Sequence, residues 1–390
     1  SLAFACPIVP VLASQAPVMR VLVKESSHFR IRADKRNLMS VKGLSSERKK
    51  LSSLSLRVKN GSIFFSIDNN ATRWSSLPLR SSIRVWSFDP RGIWLGNRRY
   101  RGELRIFRKD QKLIAINHLG IEKYLISVVG SEMPNDWPIA ALRAQAVAAR
   151  TYALNRLGKR ELFDINSTET SQVYLGVESE TKSTKKAVNS TRSLVILHQG
   201  KLINAVFHSS SGGQTEHSGL VWKYQLPYLV SVRDYDQHNP KFRWSNKFFP
   251  AELKQAFPEI GGLNSIRVLR SSKTGRILTT KAYGPKGQLM ITGIDLRQRL
   301  KLKSTLAKLQ MVPYLKFSQP LQNNVNQYNQ QKSNSSVPPA QRDYFLLVKG
   351  RGGGHGVGMS QWGANGLAQK GADFRKILRH YYRGVKIRPY

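Results

Sequence analysis

A period of two in apolar and polar residues runs through the first part of the chain, from Val18 to Ile116. The segments VMRVLVK and FRIRA alternate in this way, as strands with one buried face do. Two further pairs of such segments meet at Asn60-Gly61 and at Lys109-Asp110, and Asn-Gly is the strongest short signal for a β-hairpin. We therefore predict a β-rich N-terminal region over residues 17–117.

The outward positions of these predicted strands hold many arginine and lysine residues. Two interpretations of that pattern are open. The strands could present an ordinary solvated face, where cationic side chains are common. They could also form a basic surface that binds a polyanion.

The period changes to that of a helix between Ile121 and Arg160. The clearest helix covers residues 138–160, with Pro138 in its first turn and Asn135 or Asp136 as its N-cap. One predicted face consists mostly of small residues, so that another element can pack closely against it. Its members are Leu142, Gln145, Ala146, Ala149 and Ala153.

Strands and helices mix through the rest of the chain, so we predict an α+β fold. A Thr/Ser-rich loop holds Gln172 and Tyr174, and a hairpin turns at Gln199-Gly200. The other expected elements are a helix over residues 181–193, a helix soon after residue 245, a strand pair around residues 273–275, a helix over residues 296–309, a strand over residues 343–350 and a closing helix pair broken at Gly371. Residues 318–341 are rich in Asn, Gln, Ser and Pro, which predicts a disordered insertion.

A glycine-rich segment, GRGGGHGVGMSQWGANG, covers residues 350–366. A flexible linker would lack its aromatic residue, and a nucleotide-binding loop would continue with Lys-Ser or Lys-Thr. We expect a tight loop whose backbone lies against a ligand or another segment, because glycine permits positive φ and close approach. His355 and Gln361 are the polar side chains that it presents, and both are candidates for substrate contact.

The net charge sets this chain apart from an ordinary globular protein. Among its 390 residues, 63 are Lys or Arg and 23 are Asp or Glu, which gives a net charge of +40. A field of that size favours a polyanionic partner. Nucleic acid, an anionic membrane surface and an anionic cell-wall polymer all qualify.

Residues 1–16 have the pattern of the end of a secretory signal segment. Residues 2–13 are apolar, and Ser14-Gln15-Ala16 offers a cleavage site of the small-x-small type. We therefore expect an exported protein of the periplasm or cell envelope, with a lipid anchor on Cys6 and a buried N-terminal strand as the alternatives. Cys6 is the one cysteine of the chain, so neither an internal disulfide nor a cysteine-based zinc site is expected.

Two histidines nine residues apart, His208 and His217, lie at the ends of the polar segment HSSSGGQTEH. With Glu216 they are weak metal-ligand candidates, since zinc needs at least three protein ligands and the usual sulfur ligands are missing. We expect instead a hydrogen-bonded loop that lines a cleft, and no cofactor. His208, Ser209 and Ser211 are its substrate-binding candidates.

Three segments together resemble the SpoIID/LytB family of stage II sporulation protein D and amidase-enhancer proteins. They are SVVGSEMPNDWPIAALRAQAVAARTYAL, HSSSGGQTE and GRGGGHGVGMSQWGANGLAQKGADFRKILRHYY. The resemblance covers residues 17–387 apart from the insertion. It implies a mixed α/β, SpoIID-like catalytic core over residues 118–390 with a glycan-binding cleft, in a protein that acts on peptidoglycan.

Stage II sporulation protein D is a lytic transglycosylase of glycan strands from which an amidase has removed the stem peptides. The resemblance implies that Glu132, between a Gly-Ser turn and Met-Pro, is the catalytic glutamate and that Arg150 and Tyr152 support it. Gln172 and Tyr174 complete the substrate-binding candidates. Some members hold zinc through cysteine and histidine near HSSSGG, and this chain departs from them because it has no cysteine there.

A single carboxylate suffices for this reaction, whereas ordinary glycosidases use two. Glu132 would protonate the glycosidic oxygen between MurNAc and GlcNAc and then accept the proton of the MurNAc C6 hydroxyl, which attacks C1. Because the nucleophile belongs to the substrate, it is already close to the carbon that it attacks. We place Arg150 on the lactyl carboxylate of the substrate.

Two other functions compete with this interpretation. One is a non-catalytic amidase enhancer that binds wall polymer and stimulates an N-acetylmuramoyl-L-alanine amidase. The other is a nucleic-acid binder, which the export signal and the lack of a recognisable nucleic-acid-binding motif disfavour. The expected partners are therefore peptidoglycan glycan strands and an amidase, and not nucleic acid.

Overall fold

The computed structural model describes residues 16–34, 37–68, 70, 73–78, 81–315 and 342–390. Most of the predicted signal segment and the whole predicted insertion, residues 318–341, lie outside these described residues. Within them, no helix is both long enough and apolar enough to cross a membrane.

The first part of the chain is strand-rich. Its strands are β1 (Val18–Ser26), β2 (His28–Arg32), β3 (Met39–Lys42), β4 (Lys49–Leu51), β5 (Ser53–Lys59), β6 (Ser62–Ile67), β7 (Ser75–Ser76), β8 (Ser82–Trp86), β9 (Ile93–Leu95), β10 (Arg98–Tyr100), β11 (Glu103–Lys109) and β12 (Lys112–Gly120). The predicted N-terminal β structure is thus confirmed.

Helices and strands mix after β12, as an α+β fold requires. Next come α1 (Ile121–Glu132), α2 (Ile139–Arg156), β13 (Ile165–Asn166), α3 (Lys182–Asn189), β14 (Leu194–His198) and β15 (Lys201–Leu202). They are followed by β16 (Phe207–His208), α4 (Ser218–Val221), β17 (Arg243–Phe248), α5 (Pro250–Ala256), β18 (Ser265–Ser271), β19 (Ile277–Gly284), β20 (Gly287–Thr292), α6 (Gly293–Arg299) and β21 (Ala307–Leu315). The last elements are β22 (Arg342–Arg351), β23 (Met359–Ser360), α7 (Gln361–Gln369), α8 (Phe374–Tyr381) and β24 (Lys386–Pro389).

The chain divides into two compact units. The first comprises the described parts of Ser1–Val206, Ala368–Arg379 and Gly384–Tyr390, and the second comprises those of Phe207–Leu367 and His380–Arg383. The domain boundary predicted after residue 117 does not coincide with the division between these two units, and it stays a prediction.

The described residues of the first unit form two large sheets and a small one. The sheet orders are β13-β1-β12-β11-β8-β3-β4, β10-β9-β2-β5-β6-β7 and β15-β14-β24. The hairpin between β5 and β6 forms as predicted, because Asn60 (φ 50°) and Gly61 (φ 74°) both adopt the positive φ that a two-residue turn needs. The Gln199-Gly200 hairpin forms in the same way.

Helix α2 confirms the helix that the small-residue pattern predicts. All five members of the predicted face are fully buried, so the neighbouring elements pack closely against it. The predicted cap is wrong, because Pro138 occupies the N-cap position and no side chain caps the helix. Residues before a proline are pushed away from helical conformation, which leaves Asn135 and Asp136 in the preceding turn.

The second unit is built on the sheets β17-β22-β21, β18-β19-β20 and the parallel pair β16-β23. Leu253, Phe257, Leu296, Leu346 and Val348 are among the residues of its core. The helix predicted over residues 296–309 is confirmed only for its first four residues, because α6 ends at Arg299 and β21 begins at Ala307. This segment is a strand because it pairs with β22, which follows the long stretch 316–341 in the sequence.

Candidate functional site

Glu132 is the last residue of α1 and is half-buried. The predicted Gly-Ser turn before it does not form, because the helix continues through Gly130 and Ser131. Gly130 is required there, since a Cβ would collide with the backbone oxygen of Ser179. Oε1 of Glu132 accepts a hydrogen bond of 2.7 Å from the N–H of Val173. The C-terminal end of the helix dipole disfavours a negative charge at this place, whereas the Val173 N–H stabilises it.

The Ser/Thr-rich loop is held against α1 by serine side chains of that helix. Oγ of Ser131 accepts a hydrogen bond from the N–H of Leu175 (3.2 Å), and Oγ of Ser127 accepts one from the N–H of Gly176 (3.0 Å). These bonds satisfy backbone groups of a segment without regular structure. They also fix the position of Val173, which holds the Glu132 carboxylate.

Gln172 and Tyr174, the two substrate-binding candidates of this loop, are buried rather than presented to solvent. Gln172 accepts a hydrogen bond from the hydroxyl of Tyr124 (2.9 Å) and donates one to the carbonyl of Ala149 (3.1 Å). The hydroxyl of Tyr174 donates to Oδ1 of Asn117 at 2.7 Å. Both side chains therefore position the loop.

Two buried tyrosines lie within electrostatic reach of Glu132. Burial is the main cause that raises the pKa of Tyr152, and the negative charge of Glu132 raises it further. Burial likewise raises the pKa of Tyr124, with smaller contributions from Tyr174 and Glu132. The ring of Tyr152 also packs 3.4 Å from the guanidinium of Arg156. Glu132 is thus a half-buried carboxylate whose charge acts on the hydroxyls of two buried tyrosines.

Arg150 lies in the interior of the first unit, with none of its surface exposed. Its Nε and Nη2 donate to the two carboxylate oxygens of Glu122, at 2.9 and 2.7 Å. Nη1 donates to the carbonyl of Leu194 at 3.1 Å, and Nη2 also reaches the carbonyl of Val188 at 3.4 Å. A substrate carboxylate could bind Arg150 only if this buried pair broke, so the geometry favours a structural role.

The glycine-rich loop of the second unit is the tight loop that its sequence predicts. A Cβ on Gly352 would lie 2.5 Å from the carbonyl oxygen of Ser210, and one on Gly354 would lie 2.8 Å from Cβ of His208. Both glycines have positive φ, as close backbone approach often requires. The loop therefore lies directly on the HSSSGG segment, with β16 and β23 paired beside it.

His355 and His208 are neighbours within this loop pair, with ring centroids 5.3 Å apart. Nε2 of His355 lies 3.0 Å from the carbonyl of Phe207, and its Nδ1 accepts the N–H of Val357 at 3.1 Å. His355 is therefore a neutral imidazole with its proton on Nε2. Nδ1 of His208 donates to the carbonyl of Val357 at 3.1 Å, which leaves its buried Nε2 as an acceptor without a partner in the described residues.

The remaining candidates of the second unit differ in accessibility. Ser209 is exposed and His355 is half-buried, so both are reachable by a ligand. Ser211 and Gln361 are buried, and the hydroxyl of Ser211 donates to Asp234.

The sequence did not indicate the buried charge network beneath the loop. Asp234, Asp236, Glu216 and Arg276 are all buried there, and Nη2 of Arg276 donates to the carbonyl of Ser211 at 2.6 Å. Burial raises the pKa of Asp236, and the negative charge of Asp234 raises it further. The sequence could not indicate this network, because these acids and the arginine form no motif and only the fold brings them together.

The described residues do not fit a zinc ion. They contain no group of three or more His, Cys, Asp and Glu side chains arranged to hold a metal. Glu216 accepts hydrogen bonds from the N–H of His217 and from the hydroxyl of Thr274. Burial lowers the pKa of His208, and the positive charges of Arg276 and Arg297 lower it further. Such a positive environment also disfavours a cation at its Nε2.

We expect the substitution Gly356→Ala to destabilise the second unit by about 1–3 kcal/mol. Gly356 has φ of +81°, and a Cβ would lie 2.5 Å from Nη2 of the buried Arg276. Gly371→Ala is the matched control, because Gly371 has φ of +84° and nothing within 4 Å of a Cβ. Chemical denaturation measures both variants, and equal losses of stability would contradict the proposed packing of Gly356 on Arg276.

The free energy of unfolding should fall as the pH drops from about 6.5 to about 4. Desolvation lowers the pKa of His355 from its ordinary 6.5 to about 4, so in this window the unfolded chain binds a proton that the folded chain does not. Each such histidine contributes a slope of at most about 1.4 kcal/mol per pH unit. His355→Gln should reduce the slope measured by denaturation across this range, and an unchanged slope would contradict a folded state in which His355 stays neutral down to about pH 4.

The sequence of this chain is similar to a known family and to several known proteins. A family described as SpoIID, Stage II sporulation protein, matches residues 109–198, which include Glu132 and the whole loop that holds it. An uncharacterized protein of Brachyspira hyodysenteriae is 33% identical over 302 residues, covering 77% of this chain and 75% of that protein. The chain belongs to the SpoIID family.

Other relatives of this SpoIID-family protein have informative names. Stage II sporulation protein D of Bacillus subtilis is 28% identical over 292 residues, covering 70% of this chain and 76% of that protein. The Amidase enhancer of the same organism is 29% identical over 303 residues, covering 68% of this chain but 40% of that protein. The family is one of sporulation-related cell-wall proteins.

Proposed function

We propose that this SpoIID-family protein is a peptidoglycan lytic transglycosylase in which Glu132 is the general acid and base. The observation that carries the proposal is the half-buried carboxylate of Glu132, which the N–H of Val173 holds at 2.7 Å inside the segment that matches the family. A general acid needs a fixed position and access to substrate; the hydrogen bond from Val173 supports the first, and the partial exposure of Glu132 supports the second.

The reaction needs one carboxyl group and no external nucleophile. Protonated Glu132 gives its proton to the oxygen that joins MurNAc C1 to GlcNAc, and the bond between C1 and that oxygen breaks. The C6 hydroxyl of the same MurNAc attacks C1, and its proton passes to the Glu132 carboxylate. The products are a 1,6-anhydro-MurNAc end and a free GlcNAc 4-hydroxyl, so atoms balance without water.

The surrounding residues act by positioning in this proposal. Gln172 and Tyr174 order the loop whose Val173 N–H orients the carboxylate, and Tyr152 lies within electrostatic reach of that carboxylate. Arg150 supports the fold through Glu122 and is not assigned a substrate contact. Ser209 and His355 are the accessible candidates for substrate contact in the second unit. The glycan-binding cleft stays a prediction.

The proposal is tested with purified glycan strands from which an amidase has removed the stem peptides. The protein should convert them to fragments with 1,6-anhydro-MurNAc ends, detected by mass spectrometry. Strands that keep their stem peptides are the comparison substrate and should be cleaved more slowly. A correctly folded protein that releases no anhydro fragments from either substrate contradicts the proposal.

A non-catalytic amidase enhancer is the second candidate function. The relative that bears this name and the net charge of +40 favour it, because wall polymers are anionic. The two functions differ in how they depend on Glu132. Full stimulation of an N-acetylmuramoyl-L-alanine amidase by the Glu132→Gln variant, together with no glycan cleavage by the unaltered protein, supports the enhancer. We place either activity in the periplasm or cell envelope of the host.

A further inference from the structure

One face of the sheet β10-β9-β2-β5-β6-β7 carries arginines in neighbouring cross-strand positions. Residues that pair across a sheet point to the same side. Arg57 pairs with His28 on β2 and with Phe64 on β6, and Arg32 pairs with Trp94 on β9. Arg30 lies between them on β2. We call the surface formed by Arg30, Arg32 and Arg57 the arginine face.

Tryptophans hold two of these guanidinium groups in place. The guanidinium of Arg57 lies 3.9 Å from the ring centroid of Trp74, and that of Arg32 lies 4.4 Å from the ring centroid of Trp94. On the same ring, the guanidinium of Arg99 lies at 4.8 Å. A stacked guanidinium keeps its N–H edge available for a planar anion, and less side-chain entropy is lost when that anion binds.

Among the described residues, protein carboxylates pair with Arg99, which lies outside the arginine face, and not with the two stacked arginines of that face. Arg99 forms ion pairs with Glu178 at 2.6 Å and with Asp34 at 3.3 Å. Arg32 and Arg57 form no ion pair with any of the described residues. The two stacked arginines therefore keep the capacity to bind an external anion.

The spacing of the two arginines requires an extended ligand. Arg32 pairs with Ser53, which is four residues from Arg57 on β5, so the two positions are about 13 Å apart along the strand. A single small anion cannot contact both sites. A polymer with regularly repeated carboxylates can, and guanidinium edges match carboxylates in a bidentate manner.

We propose that the arginine face binds carboxylate-bearing glycan strands of the cell wall, separately from the chemistry at Glu132. Peptide-free strands carry one lactyl carboxylate on every MurNAc, which supplies the repeated anion that the two arginines need. The proposal rests on membership of a cell-wall family and on the face itself, and not on cleavage. It gives a function to the basic outward positions of the N-terminal strands.

The experiment measures binding of fluorescently labelled, peptide-free glycan strands by anisotropy, in the Glu132→Gln background so that turnover does not interfere. The double variant Arg32→Gln/Arg57→Gln should bind about fivefold more weakly. Arg267→Gln/Arg270→Gln is the matched control, because it removes the same charge from two exposed positions of β18, and it should change binding less than about twofold.

Two further arms test the ligand chemistry. Strands whose carboxylates have been reduced to alcohols should bind both double variants equally weakly. Arg32→Lys/Arg57→Lys, which keeps the charge and loses the bidentate stacked geometry, should fall between the parent protein and the glutamine variant. Equal binding by the glutamine variant and the control overturns the proposal, and so does single-stranded DNA that binds the face more tightly than the glycan. Neither result tests glycan cleavage, which is measured separately with the unaltered protein.

Discussion

The variant Glu132→Gln should lose its glycan-cleaving activity by about 10²–10⁴-fold while keeping its fold. Glutamine has nearly the same shape, and its amide oxygen can still accept the N–H of Val173, which lies 2.7 Å from Oε1 of Glu132. What the variant lacks is a proton for the leaving oxygen and a base for the C6 hydroxyl. The measurement is the rate at which anhydro fragments are released from peptide-free strands.

Glu169→Gln is the matched control for this change. Glu169 is exposed in the same Ser/Thr-rich loop, so its loss removes one negative charge close to the site without touching the proposed chemistry. Its rate should stay within about twofold of the parent protein, as surface changes usually have small effects. Cleavage by Glu132→Gln at the rate of the control would remove Glu132 from the mechanism.

The variant Arg150→Met should destabilise the first unit by about 3–5 kcal/mol, because it leaves the carboxylate of Glu122 buried without its partner. The guanidinium of Arg150 is fully buried and satisfies both oxygens of Glu122 and the carbonyl of Leu194. Methionine fills part of the space but offers no hydrogen bond. Equilibrium denaturation in urea measures the loss as a shift of the midpoint.

Two companion variants separate the ion pair from other effects. Arg143→Met changes the same residue type on the same helix at a half-exposed position, where Nε donates to Ser190, and should cost less than about 1 kcal/mol. Glu122→Met combined with Arg150→Met should recover much of the stability, because an apolar pair leaves no buried charge unpaired. A double variant as unstable as the sum of the single changes would contradict a coupled pair.

Local signals in the sequence predicted local structure well. Asn60-Gly61 predicted its hairpin because both residues adopt positive φ at low cost. The small residues of α2 predicted a closely packed face, and glycine predicted the close approach of Gly352 to Ser210. In each case the chemistry of one or two neighbouring residues determines the conformation.

Features that depend on distant partners were not predictable in the same way. The segment that begins at Ala307 has a helical pattern but becomes a strand because β22 pairs with it. Arg150 meets Glu122 only because α1 and α2 pack together, so the sequence could not show that its guanidinium is buried. The same holds for Arg276 and the acids beneath the glycine-rich loop.

The same distinction between local signals and distant partners holds for the candidate site. The Ser-Glu-Met-Pro motif identified Glu132, and the resemblance to the family supplied its role. No pattern showed that Val173 would hold the carboxylate through its backbone N–H. Every residue other than proline has such a group, so the residue type does not show which one binds a carboxylate. Nor did any pattern show that Gln172 and Tyr174 would be buried as supports of that loop.

The most direct test of lytic transglycosylase chemistry is cleavage of peptide-free glycan strands in water enriched in ¹⁸O. A reaction in which the MurNAc C6 hydroxyl attacks C1 consumes no water. We therefore predict fragments with 1,6-anhydro-MurNAc ends, lighter by one water than hydrolysis products and free of ¹⁸O. Reducing ends that carry ¹⁸O would show hydrolysis and would contradict the proposed lytic transglycosylase reaction.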